Sequence, residues 1–126
     1  MKVVFVTDFI PHYEWEERIH TYLPACTAVL RPDWDISIYW LQTAWDKEDP
    51  ISRIISQYGG QKPITNFYSQ YENVLDDTGD LLVFLCAVPN SNAAVNKILT
   101  KISTLRGRFK TIAYISLDCW YGWFMN

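Results

Sequence analysis

A chain of 126 residues is long enough for one domain with an ordinary hydrophobic core. Apolar residues make up 49% and charged residues 20%, which excludes a disordered polymer, and a net charge of −3 gives no general pull toward nucleic acid or an anionic membrane. Three well-separated cysteines, Cys26, Cys86 and Cys119, show no metal-ligand spacing and read as buried, reduced thiols, which favours a cytoplasmic setting. No apolar run approaches the roughly 20 residues needed to span a bilayer, and VVFV lacks the features of a secretion signal.

VVFVTDF opens the chain as a continuous apolar run, the pattern of a strand covered on both faces. The spacing after Pro11 predicts a helix from about Tyr13, with Trp15, Ile19 and Leu23 inward and Pro24 as its end. RPDWDISIYWLQT follows, where Ile36, Ile38 and Trp40 alternate with Ser37, Tyr39 and Leu41 in an interior strand. DKEDPISRIISQYGG then predicts a helix capped by Asp49, started by Pro50 and stopped by Gly59 or Gly60.

KPITNFYSQYENVLDDTGD predicts another helix, striped by Ile64, Phe67, Tyr68, Tyr71, Val74 and Leu75 and broken at Gly79. LLVFLCAV is the most apolar run and is expected to be the central strand. After the turn PNSN, Asn90 or Ser91 caps one helix with Ala94, Val95, Ile98, Leu99, Ile102 and Leu105 inward, closed by Gly107. Lys97, Lys101, Arg106, Arg108 and Lys110 make a basic cluster that reads as the solvated face of that helix and its exit. TIAYISL is the last strand.

Strands alternating with helices imply parallel pairing. The expected fold is a three-layer α/β/α sandwich, a single Rossmann-like domain over residues 1–126 with four mainly parallel strands in the order 2-1-3-4. Such a sheet has a switch point between its first and third strands, and ligands bind there beyond the carboxyl ends. Those ends would deliver Thr7 and Asp8, Gln42 and Thr43, the Asn90, Ser91 and Asn92 turn, and Ser116 and Asp118, with His12 leaning over the crevice. Short polar side chains of this kind hydrogen-bond hydroxyl groups, although they are also ordinary turn and cap chemistry. His12 near Asp8 has the makings of a general base oriented by an acid.

Aromatics reach 16%, with six Trp and eight Tyr, and Trp45, Trp120, Tyr121 and Trp123 fall in expected loops. There they serve either to stack on a sugar or base, to bury against a partner, or to pack on their own domain. TDFIPHYEW contains no glycine, so neither a dinucleotide fingerprint nor a phosphate loop is present, and no nucleophile elbow or HExxH helix occurs. No cofactor and no metal site is expected.

VVFVTDFIPH resembles the opening strand and loop of the GT-B glycosyltransferases. DLLVFLCAVPNSNAAVNKIL, followed by KTIAYISLD with Tyr114 and Asp118, is similar to the later strands of the same N-terminal, acceptor-type half. The resemblance implies a Rossmann-like half-domain that binds a sugar or a nucleotide-like ligand, with Asp118 or His12 as base and Asn90 to Asn92 positioning substrate. GT-B enzymes close their cleft with a second domain, and WYGWFMN would correspond to the start of the acceptor loop. The expectation is therefore a stand-alone acceptor half, completed by a second polypeptide, or a derivative that keeps binding without transfer. The competing expectation is a small non-enzymatic binding module, of a kind viruses encode, which sequesters a ligand or covers a protein. Trp120, Tyr121, Trp123 and Phe124 would then anchor a second subunit or another copy.

Overall fold

In a computed structural model of the chain, residues 1–7, 19–41, 50–60, 62–66, 68–86 and 93–116 are described. The elements run β1 (Lys2–Thr7), α1 (Ile19–Leu30), β2 (Asp35–Trp40), α2 (Pro50–Tyr58), β3 (Ile64–Asn66), a 3₁₀ helix (Tyr68–Asp76), β4 (Gly79–Cys86), α3 (Ala93–Leu99), α4 (Ile102–Arg108) and β5 (Phe109–Ser116). Every strand pair is parallel, and the sheet order is β3-β2-β1-β4-β5. This fits a Rossmann-like α/β fold. The expected four strands in the order 2-1-3-4 become five: the long strands keep that succession as β2-β1-β4-β5, and β3 adds an outer strand beside β2. The centre belongs to β1, not to the more apolar β4.

Side-chain alternation along the strands sends two sets of apolar residues to opposite faces. Val3, Phe5, Ile36, Ile38, Trp40, Val83 and Leu85 meet Ala25 and Ala28 of α1 and Ile51, Ile54 and Ile55 of α2 in one core. Val4, Val6, Tyr39, Leu82, Phe84 and Cys86 meet Val74 of the 3₁₀ helix, Ala94, Val95 and Ile98 of α3, and Leu105 of α4 in the other. Because both faces are covered, the strands read as near-continuous apolar runs.

Several local expectations are corrected. Pro24 does not end the first helix but lies inside α1. Burial of Ala25 and Ala28 against the sheet outweighs the backbone bond that proline removes. Ile64 is not part of a helical stripe; it opens β3, paired with Ser37, and is 61% exposed. The segment after it winds as a 3₁₀ helix whose three-residue repeat stacks Tyr71 and Val74 over the core, and Gly79 begins β4 instead of merely closing that helix. The single helix expected over residues 91–107 is two: Thr100 Oγ1 donates to Lys97 O at 2.7 Å, competing with helix propagation, and the chain turns before α4. Gly107 lies within α4, and Phe109 supplies its extended C-cap. Cys26 is also exposed, while Cys86 is buried as expected.

The stop of α2 follows the expected chemistry. Gly59 adopts φ +75°, and Gly60 N–H donates back to Ile55 O at 3.2 Å, the reversed turn that satisfies the last helical carbonyls. Gly60 is also where the two helices touch: a Cβ there would lie 3.1 Å from Val29 Cα. Among the described residues, no helix is long and apolar enough to cross a membrane.

Candidate functional site

The strand register sets the carboxyl edge. Thr7 pairs with Trp40 on one side and Leu85 on the other, and Cys86 pairs with Ser116, so the four long strands end level. From β1 the chain goes on to α1 on one face and β2 on one side. From β4 it goes on to α3 and α4 on the opposite face and β5 on the other side. The switch point of the sheet therefore lies between β1 and β4, at the carboxyl ends Thr7 and Cys86.

The strand tips themselves are dry. Thr7 and Cys86 are fully buried, Trp40 and Leu41 nearly so. Thr7 O accepts the Leu41 N–H at 2.8 Å, locking the ends of β1 and β2 together, and Cys86 Sγ contacts Val6 O at 3.5 Å. One strand turn below, Phe84 and Tyr114 stack with centroids 5.6 Å apart, joining β4 to β5 on the face of α3 and α4. Thr7 is the last residue of β1, beside β4, and is fully buried. Asp8, His12, Gln42, Thr43, Asn90, Ser91, Asn92, Asp118 and Trp120 lie outside the described residues, as do Trp45, Tyr121, Trp123 and Phe124. The described chain leaves the sheet after Thr7, Leu41, Cys86 and Ser116, all at the carboxyl edge.

The amino edge carries the polar geometry that the sequence reading missed. Lys2 Nζ donates to Asp77 Oδ1 at 2.5 Å, Tyr39 Oη donates to Asp77 Oδ2 at 2.9 Å, and Thr78 N–H donates to Asp77 Oδ1 at 2.8 Å. Beside this carboxylate, Lys2 N–H donates to Asp80 Oδ2 and Lys110 Nζ pairs with Asp80 Oδ1, both at 2.8 Å. Burial would raise the Asp77 pKa, but the bonds from Lys2, Thr78 and Tyr39 outweigh it and hold the carboxyl below its usual range. Burial, then the bond to Asp77, pushes the Tyr39 phenol well above an ordinary tyrosine. These groups tie the starts of β1, β4 and β5 to the end of the 3₁₀ helix. The signal for them in the sequence was the pair Asp77 and Asp80 flanking Gly79, read only as a helix stop.

The basic cluster is largely engaged within the chain. Lys97 pairs with Glu72, Arg108 Nη1 donates to Asp76 O at 3.1 Å, and Lys110 holds Asp80. These contacts strap α3 and α4 to the 3₁₀ helix and β5 to β4. Among the described residues, no group of three or more His, Cys, Asp or Glu could hold a metal ion.

No family model matches this chain, and neither the curated proteins nor the solved structures contain a match to it.

Proposed function

We propose that the chain is a glycosyltransferase-like half-domain that binds a hydroxyl-rich or nucleotide-like small molecule at the carboxyl edge of its sheet. One observation supports the reading above all: β1 and β4 are parallel neighbours whose outgoing connections diverge to opposite faces, the arrangement in which open α/β sheets take ligands. The resemblance of VVFVTDFIPH and KTIAYISLD to the GT-B acceptor half gives the ligand its class. In this reading Thr7 and Asp8 border the crevice, Asn90, Ser91 and Asn92 hydrogen-bond ligand hydroxyls, and Trp120 stacks on a sugar or base. Asp118 or His12 is the base where transfer occurs, and binding alone is the minimal activity.

Calorimetric titration with UDP-glucose, UDP and glucose tests the proposal. Saturable binding of the nucleotide-sugar is expected, weakened about tenfold by Asn92→Ala with unchanged thermal unfolding, the size of one lost hydrogen bond. Where turnover is present, Asp118→Asn abolishes it and leaves stability intact. Absence of binding by all three compounds overturns the reading.

A further inference from the structure

We draw no further inference here: the strongest candidate, the amino-edge apolar surface of Leu30, Tyr58 and Ile64 with the cleft lined by Trp34 and Pro63, carries nothing because nothing in the structure shows what covers it.

Discussion

At the carboxyl edge Thr7, Trp40, Leu41 and Cys86 are shut away from water, whereas at the amino edge Leu30, Tyr58 and Ile64 stand exposed. One edge is a dry platform whose strand tips are locked by backbone and packing. The other is tied by Lys2, Asp77, Asp80 and Lys110, with the Tyr39 phenol reaching Asp77 from the carboxyl half of β2. The contrast teaches a division of labour. Strand tips at the carboxyl edge set where outgoing segments begin but present no polar surface themselves, so the proposed binding would draw on residues further along those segments. The amino edge holds its charges on the strands and turns directly, and there it is apolar surface that remains over.

The contrast breaks most visibly under substitution at equivalent depths of the two ends. Trp40→Ala, at the buried tip of β2, should cost about 3–5 kcal/mol, whereas Ile64→Ala, at the exposed start of the neighbouring strand, should stay within about 0.5 kcal/mol. Urea unfolding measures both. Equal losses would mean that the edges do not differ in burial.

Asp77→Asn sharpens the electrostatic half. It leaves Lys2 without its carboxylate partner at a site where the Asp77 side chain is only 16% exposed, and should cost about 1–3 kcal/mol. Because the folded state holds the Asp77 pKa below the unfolded value of about 3.9, its stabilisation is complete above that pH and is lost as acid is added through the folded pKa. The wild type should therefore lose stability below about pH 4 faster than Asp77→Asn does, and parallel acid curves would contradict the role given to Asp77.

Smaller effects follow at the helix contact and on the surface. Gly60→Ala pushes a methyl group against the backbone of Val29 and should cost about 1–3 kcal/mol, with Gly59→Ala, at positive φ, costing about 1 kcal/mol. Lys97→Ala removes an exposed ion pair with Glu72 and should leave stability nearly unchanged.

The four long strands were legible because burial on both faces leaves an apolar run that nothing else in the sequence imitates. β3 was not: Ile64–Asn66 is too short to show a two-residue alternation, and Ile64 fell into register with the apolar spacing of the helix after it. The division between α3 and α4 falls at Thr100, whose hydroxyl bonds Lys97 O where Lys101 N–H turns to Ile98 O, a local arrangement that no periodicity records. Pro24 misled because packing overrode a local rule. At the candidate site, Thr7 was legible as the tip of the first strand. The amino-edge surface was not, because Leu30, Trp34, Tyr58 and Ile64 approach only once parallel topology brings both helix ends to the same edge. A cue did exist: Leu30 precedes RPD and Tyr58 precedes GG, large apolar residues each placed where a helix stops.

Nitrogen-edited NMR of the amide signals, recorded while UDP-glucose is added, tests the central claim most directly. Saturable shifts at Thr7, Leu41, Cys86 and Ser116, with Lys2, Asp35, Gly79 and Phe109 unmoved, are the predicted result. Shifts confined to the amino-edge group, or no shift at either edge, would contradict it.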